Sequence, residues 1–419
     1  MRFNLQYGDG SLPLEIDNRA KVETIRPVTI VDIPNRDMIL NSLEKPETTA
    51  SLSKLATKAQ SAIVVINGEM DSGITATLLE VLLDFLRTQI LRPENIAILC
   101  HELSDTSKQR SRLVDLLKSL VDLGHPLLPH DPTSSETLHF VGDTPTYCTP
   151  VSVNKAYSAA ELKIGVGILR ADVFVGATGG RMSVVPWAAG IKSIERNSKL
   201  RAIHPVGPYM IESATCIDLE EASRLAGLDY ILNAIPDCKD HIAHIAAGAP
   251  FQSWRDSLGT VQKVTEAPIQ YKADITITSA GGSNHDKTLF VAIDSLYSAS
   301  QATEQGGVII LVAECPNGVG PAGFLRGISE CKSESEVALL SETGFELGME
   351  KARLFWNVLA SRKIILCSRL RESMVSERLH CLAVRDPQEG LDLARSLMVS
   401  SPRIAIIPQG MRTIPYLKT

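Results

Sequence analysis

The sequence has few aromatic residues and no excess of positive charge. Phe, Trp and Tyr make up 5% of the 419 residues, and the formal net charge at pH 7 is −6. Nucleic-acid interfaces need a concentrated basic surface and often aromatic stacking platforms, so we expect no nucleic-acid partner. No apolar run approaches the roughly 18 residues that a membrane-spanning helix requires, and no apolar segment of a secretory signal follows Met1. We therefore expect a cytoplasmic protein with no membrane partner.

Several common catalytic patterns are also missing. The eight cysteines contain no C-x-x-C pair, which predicts reduced thiols and no zinc site. Neither the phosphate-binding pattern G-x-x-x-x-G-K-[ST] nor the G-x-S-x-G pattern of serine hydrolases occurs. Two histidines, His241 and His244, are three apart on a predicted strand, where they would point to opposite faces and could not share an ion. We predict no metal site from these residues.

Short apolar runs alternate with amphipathic segments from about residue 61 onwards. Ala62–Ile66 is a β-branched run typical of a strand buried on both faces, and Thr75–Arg87 carries leucines at helical spacing. The same order recurs in Ile96–Leu99 and Gln109–Leu123. Alternating strands and helices predict an α/β fold with mainly parallel sheets covered by helices.

The length of the chain favours two domains joined by a polar linker. We place an N-terminal domain at 1–261, in which 1–60 is a β-rich lead-in. The linker is predicted at 262–271 and a C-terminal α/β domain at 272–402. Residues 403–419 would form a last strand and tail. A ligand cleft is expected between the two domains, and a homodimer is compatible with these features.

Two glycine-rich loops are candidate binding sites. The first follows a predicted strand, Val173–Val175, and precedes a helix predicted to start near Trp187; the second, Gly281–Gly282, follows a strand that begins at Ala273. Glycine loops at strand ends let backbone amides approach an anion. The predicted ligand-binding residues are Asn67, Gly176, Thr178, Gly179, Gly180, Arg181, Ser183, Gly281 and Gly282. The alternatives are that each loop is only a tight turn and that Arg181 extends to solvent.

The segment Gly165–Gly190 resembles one family, the nickel-dependent lactate racemases and related 2-hydroxyacid racemases. In that family it reads roughly G-x-x-x-x-H-x-F-x-G-x-S-G-G-x-K-S-x-x-P-G, and here the first four glycines of the pattern and its proline are retained. Further similar segments, in the same order, extend the resemblance from about Ser61 to Pro415. It implies the family's two-domain α/β fold with a site in the interdomain cleft.

The resemblance also implies a nickel pincer nucleotide, which in the family is attached to a lysine and ligated by a histidine. Those positions correspond here to Met182 and Ser198. The family's acid–base histidines correspond to Asp172 and, about two or three residues out of register, to His101. Because a thioether cannot form the amide-type linkage, we predict that this chain does not carry the lysine-tethered cofactor.

Other positions that the resemblance assigns to substrate are changed as well. The arginine that would clamp a carboxylate is replaced by Met70, which carries no charge. An Ala-His pair of the family reads Ser253-Trp254. We therefore expect a racemase-like scaffold that binds a small anionic ligand without nickel-dependent racemisation. Two alternatives stay open: an active racemase or epimerase of a hydroxy or sugar acid that uses Asp172 and His101, and a non-catalytic scaffold or sensor that pairs with a true racemase.

Overall fold

The structure is a computed structural model that describes residues 1–29, 35–46, 51–67, 72–89, 92–101, 111–204 and 207–418. Met70 lies outside these residues, as does the start of the helix predicted at Gln109–Leu123. The backbone of His101 is described, but its side chain is not.

The secondary structure consists of short strands and helices that alternate along most of the chain. The strands are β1 Arg2–Tyr7, β2 Gly10–Glu15, β3 Val22–Thr24, β4 Ala62–Asn67, β5 Ile96–His101, β6 Leu127–His130, β7 Leu138–Asp143, β8 Pro150–Asn154, β9 Leu162–Ile168, β10 Ala171–Asp172, β11 Gly176–Ala177, β12 Tyr230–Pro236, β13 Ile242–Gly248, β14 Glu266–Ile269, β15 Ala273–Ser279, β16 Thr303–Val312, β17 Lys363–Cys367, β18 Leu382–Val384, β19 Ile404–Ile407 and β20 Ile414–Leu417. The helices are α1 Asn35–Glu44, α2 Leu52–Ala56, α3 Ser72–Thr88, α4 Ser111–Asp122, α5 Lys155–Ala159, α6 Ile191–Ile203, α7 Ala214–Leu225, α8 Pro250–Asp256, α9 Leu258–Thr265, α10 Leu289–Ala292, α11 Asp294–Ala302, α12 Ala322–Ser329, α13 Glu334–Gly344, α14 Met349–Leu359 and α15 Pro387–Ser396.

The chain folds into two compact units whose boundaries differ from the predicted ones. The central unit is 29–264, and the C-terminal unit combines 1–28 with 265–419. The lead-in is thus divided: the β1–β2 hairpin buries Leu5 and Leu14 in the same apolar cluster as Ile275 and Val308, and β3 pairs with β19. Part of the predicted linker is regular structure, since α9 and β14 cover most of it. The sequence alone could not show where residues 1–28 pack, because their partners lie more than 250 residues away.

The central unit is built on a six-stranded sheet in the order β13-β12-β9-β4-β5-β6. Its strands pair in parallel, apart from the antiparallel β12–β13 hairpin. β4 reads AIVVIN and its first five residues are buried, which agrees with the predicted doubly covered strand. α3 follows it, and the leucines of that helix pack in the core of this unit.

The C-terminal unit contains an entirely parallel sheet in the order β18-β17-β16-β15-β19-β3. The chain enters near the middle at β15, proceeds outwards through β16, β17 and β18, and returns to place β19 on the other side of β15. The expected α/β architecture with mainly parallel sheets is therefore confirmed. The predicted cleft between the domains stays a prediction. No helix in the described part of the chain is both long enough and apolar enough to cross a membrane.

Candidate functional site

The first glycine loop does not follow a sheet strand directly. After β9 the chain forms a small antiparallel hairpin, β10–β11, whose turn is Val173–Val175. The prediction of a strand at these residues is wrong. Asp172 explains the turn, because its Oδ1 accepts hydrogen bonds from the amides of Phe174 (2.7 Å) and Val175 (2.8 Å). The predicted helix start near Trp187 is wrong too, since that residue lies in a turn and α6 begins at Ile191.

The glycine loop itself satisfies its polar groups with other parts of the central unit. The Thr178 amide donates to the Arg170 carbonyl (2.8 Å), and its hydroxyl donates to the Ile168 carbonyl (2.9 Å). The Gly180 amide donates to Asn233 Oδ1 (3.2 Å). Gly179 has φ of +78°, and a Cβ there would lie 2.7 Å from the same oxygen. Donors that the sequence suggested for an anion therefore fix the loop to β9 and β12.

Arg181 lies inside the central unit and does not extend to solvent. The residue is 2% exposed, and its Cζ lies 3.8 Å from the centre of the Trp254 ring. The guanidinium donates to the carbonyls of Val175 (3.1 Å) and Cys216 (3.3 Å). Burial lowers the pKa of this guanidinium. Arg181 thus contacts the hairpin, the N-terminal turn of α7 and α8, so the alternative that it extends to solvent is wrong. Its predicted part in anion binding stays a prediction.

Trp254 was not among the predicted site residues, yet its ring packs directly against the glycine loop. It is 1% exposed, and its indole Nε1 donates to the Thr178 carbonyl (3.0 Å). A Cβ on Gly180, whose φ is +50°, would lie 3.3 Å from the indole Cδ1. The only sequence signal for this role was the Ser253-Trp254 departure from the family pattern. The ring therefore fills the space beside the loop.

Three polar atoms in or beside the loop are buried without a hydrogen-bond partner among the described residues. They are Arg181 Nε, Ser183 Oγ and Asn233 Nδ2. Ser183 is 1% exposed and fits against Gly165, where a Cβ would overlap its side chain; Gly167 likewise leaves room for the Trp187 ring. The two strand glycines of β9 thus admit side chains from the loop, so the pattern retained in this segment serves close packing.

The two positions that the resemblance assigns to the cofactor lie on different elements. Met182 is half-buried on a one-turn 3-10 helix at Gly180–Ser183, and Ser198 is 5% exposed on α6. Beside Ser198, Asn197 donates to the buried carboxylate of Asp218 (2.8 Å), which also accepts from Thr144 (2.7 Å). Among the described residues no group of three or more His, Cys, Asp or Glu side chains could hold a metal ion. The groups present here do not fit a lysine-tethered nickel nucleotide.

Asn67 and His101 meet at the carboxyl edge of the central sheet. They end β4 and β5 and are directly opposite each other in the parallel register, and His101 is opposite His130 of β6 in turn. His130 Nε2 contacts the Ala189 carbonyl (2.9 Å), and burial lowers the pKa of its imidazole. The described contacts of the Asp172 carboxylate are to its own turn. The predicted pairing of Asp172 with His101 stays a prediction.

The second glycine loop follows β15 directly, as predicted. Gly281 and Gly282 have φ of +114° and +82°. The loop carries His285, whose Nε2 lies 3.2 Å from Nη2 of Arg412, in the turn after β19. Neither residue was predicted from the sequence, because 127 residues separate them. Only the strand order brings them together.

Asp286, the next residue of this loop, is a buried carboxylate. It is 0% exposed, and its Oδ2 accepts from the amides of Gly8 (2.8 Å) and Glu314 (3.1 Å). Its Oδ1 has no hydrogen-bond partner among the described residues. Burial raises the pKa of the Asp286 carboxyl. The residue joins the β1–β2 turn to the ends of β15 and β16.

Comparisons with known proteins match most of the chain to one family. Residues 7–206 match the family model described as the lactate racemase N-terminal domain, and residues 269–414 match the lactate racemase C-terminal domain. The chain is 26% identical over 400 residues to a lactate racemase of Thermoanaerobacterium thermosaccharolyticum, covering 92% of this chain and 91% of that protein. It is 22% identical over 390 residues to a lactate racemase of Lactiplantibacillus plantarum, covering 91% of each.

A solved structure has the same fold. The lactate racemase apoprotein from Thermoanaerobacterium thermosaccharolyticum superposes with a TM-score of 0.85 at 23% identity, over 99% of this chain and 100% of that one. A second structure, of a protein from Thermotoga maritima, gives a TM-score of 0.67 at 13% identity, over 93% of this chain and all of that one.

Proposed function

The chain belongs to the lactate racemase family, and we propose that it uses this scaffold to bind a small anion without racemisation by a lysine-tethered nickel cofactor. The observation that carries the proposal is Met182, which stands where the resemblance places the attachment lysine. A thioether has no amine with which to form the linkage. The proposal extends beyond what the relatives' names say, since those proteins are named lactate racemases.

The packing around the glycine loop supports the same proposal. Arg181 and Trp254 form a stacked pair inside the central unit, and Asn233 Oδ1 accepts a hydrogen bond from the Gly180 amide of the loop. These side chains fill space next to the loop with the protein's own groups. Because these side chains surround the loop, we propose that it has a structural role and that the anion binds elsewhere in the protein.

The experiment that tests the proposal is expression together with the enzymes that build the nickel cofactor. The purified protein is analysed for nickel content and for intact mass, and it is incubated with L-lactate so that formation of D-lactate can be measured by chiral chromatography. A parallel sample in deuterated buffer detects any exchange at the carbinol carbon. The lactate racemase of Thermoanaerobacterium thermosaccharolyticum, expressed in the same cells, is the positive control. We expect nickel and added mass in the control only.

A matched variant extends the test. Met182→Lys restores the amine, but Ser198 and Met70 still stand at the family's nickel-ligand and carboxylate-clamp positions, so the variant should not racemise lactate. Stoichiometric nickel with an added nucleotide mass in the wild-type protein would overturn the proposal. Deuterium exchange in the wild type without nickel would instead favour a racemase that uses altered residues such as Asp172 and His101.

A further inference from the structure

The turn of the N-terminal hairpin lies against the carboxyl edge of the C-terminal sheet. Residues 6–10 join β1 to β2, and we call them the strap. The Gln6 carbonyl accepts from the Ser279 hydroxyl at the end of β15 (2.6 Å), and the Gly8 carbonyl accepts from the Ser283 amide in the next loop (2.9 Å). Ligands of open parallel sheets bind outside the carboxyl ends of the strands. The strap therefore occupies part of the edge at which a ligand of such a sheet would bind.

The tip of the strap is held by fewer apolar contacts than the rest of the hairpin. Leu5 and Leu14, one on each strand, are both 1% exposed in the core of the C-terminal unit. Within the strap, Tyr7 packs partly against the same core, whereas Asp9 and Gly10 are exposed. Segments with few buried apolar contacts open at a lower free energy than the core. The strap can therefore open while the body of the hairpin stays folded.

A buried carboxylate holds the centre of the strap. Asp286 Oδ2 accepts hydrogen bonds from the Gly8 amide (2.8 Å) and from the Glu314 amide after β16 (3.1 Å). Asp286 is 0% exposed, and its Oδ1 has no hydrogen-bond partner among the described residues. A buried carboxylate with an unpaired oxygen is costly when it is ionised, because water would otherwise solvate it.

Titratable groups lie in each segment that adjoins Asp286. They are Glu314 and Cys315 after β16, Tyr7 in the strap, and His285 and Lys287 on either side of Asp286 in its own loop. The Glu314 carboxylate forms an ion pair with Arg369 after β17 (3.0 Å). Burial raises the pKa of the Asp286 carboxyl, and Glu314 acts in the same direction, whereas the two amides lower that pKa. The closed strap thus favours the protonated carboxyl, and ionisation favours a state in which water reaches it.

The closed position of the strap also requires glycine at residue 8. Gly8 has φ of +53°, and a Cβ there would overlap Oε2 of Glu314. Gly10 has no such restriction, because a Cβ at that position would lie 3.9 Å from the Tyr7 carbonyl oxygen. The two glycines of one turn therefore provide a test variant and its matched control.

We infer that the strap is latched across the carboxyl edge of the C-terminal sheet by Asp286, and that ionisation of Asp286 releases it. In the protonated state one oxygen carries the hydrogen and the other still accepts the two amides. In the ionised state the unpaired oxygen gains hydration when the strap opens. Opening uncovers part of the sheet edge. Release of the strap needs no ligand, so it is independent of the proposed anion binding.

The test is hydrogen exchange of the full-length protein from pH 4 to pH 8, read by mass spectrometry with fragmentation that resolves single amides. The Gly8 and Ser283 amides report on the strap, because both donate across its contact with the sheet, and amides of β16 report on the sheet itself. Protection factors remove the pH dependence of the chemical step. We expect the strap amides to have lower protection factors than those of β16.

The pH dependence identifies the latch. Protection of the strap amides should fall by up to about tenfold per pH unit between the pKa of a free aspartate, about 3.9, and the raised pKa of Asp286. Above the raised pKa the protection should stay constant. Asp286→Asn keeps an acceptor oxygen and cannot ionise, so protection of its strap amides should not change with pH.

Two glycine variants test the strap without touching Asp286. Gly8→Ala should lower strap protection by about fivefold or more at every pH, since left-handed backbone is strained for alanine. The matched control, Gly10→Ala, should stay within about twofold of the wild type. Circular dichroism confirms that each variant is folded. Equal protection of the strap and β16 amides at every pH would show that the strap opens only with the whole unit, and the inference would be wrong. It would also be wrong if strap protection were independent of pH in the wild type, or if Asp286→Asn kept the wild-type pH dependence.

Discussion

Removing the stacked contact between Arg181 and Trp254 tests whether the first glycine loop is held by internal packing. The guanidinium is buried, stacks on the indole at 3.8 Å and donates to two carbonyls. A desolvated cation–π contact contributes about 2 kcal/mol, against about 0.5–1 kcal/mol at an exposed site. The single substitution Arg181→Met changes the free energy of unfolding in two opposing ways, because it removes the cost of burying a charge but leaves two carbonyls without a donor. A double-mutant cycle with Trp254→Leu isolates the contact.

We expect a coupling free energy of about 2 kcal/mol between Arg181 and Trp254. The same unit contains a matched exposed pair, in which the Arg224 guanidinium lies 4.1 Å from the centre of the Phe251 ring and its side chain is 59% exposed. The control cycle, Arg224→Met with Phe251→Leu, should give no more than about 1 kcal/mol.

The assay is native-state hydrogen exchange read by mass spectrometry on peptides from 29–264. It gives a free energy of opening for the central unit alone, which a single unfolding transition of a two-unit chain would not. A coupling energy for the buried pair that is no larger than that of the exposed pair would refute the reasoning. In that case the carbonyl contacts, and not the indole, would hold Arg181 in place.

Three further predictions concern single residues. Gly179→Ala should destabilise the central unit by about 1–3 kcal/mol from backbone strain alone, and its Cβ would also clash with Asn233. The control is Gly73→Ala in α3, where a Cβ meets nothing within 4 Å. In thermal unfolding the control should be neutral or stabilising. The pKa of Asp286 is raised in the folded protein, so protonation of this carboxyl favours folding, and that stabilisation is lost as pH rises from the unfolded pKa, about 3.9, through the raised one. The free energy of unfolding of Asp286→Asn relative to wild type should therefore rise over that window and then level off. Urea unfolding at a series of pH values measures it, and a difference that does not change with pH would contradict this. Asp172→Ala removes the acceptor of two amides and should speed hydrogen exchange in its turn, while Asp172→Asn, which keeps an acceptor oxygen, should not.

The sequence by itself determined the type and order of most regular elements. Ala62–Ile66 is buried because a continuous β-branched run suits a strand covered on both faces, and the leucine spacing of 75–87 gives α3 its apolar face. These signals are local, since they depend on residues a few positions apart. The alternation of strands and helices then restricts the fold to a parallel α/β architecture. The departures at Met182 and Ser198 can also be read directly from the residue types.

Tertiary structure alone decided where several of these residues act. Val173–Val175 has the composition of a strand, but the Asp172 carboxylate and the φ of +74° at Gly176 turn it into a hairpin. Residues 1–28 of the lead-in join the C-terminal unit because their apolar side chains pack on a sheet formed more than 250 positions later. Arg181 becomes an interior cation only because α8 brings Trp254 to it from 73 residues away. For the lead-in and for Arg181 the deciding contact joins residues distant in the chain, so no local pattern records it. The turn at Asp172 is local, but the apolar composition of Val173–Val175 hides it.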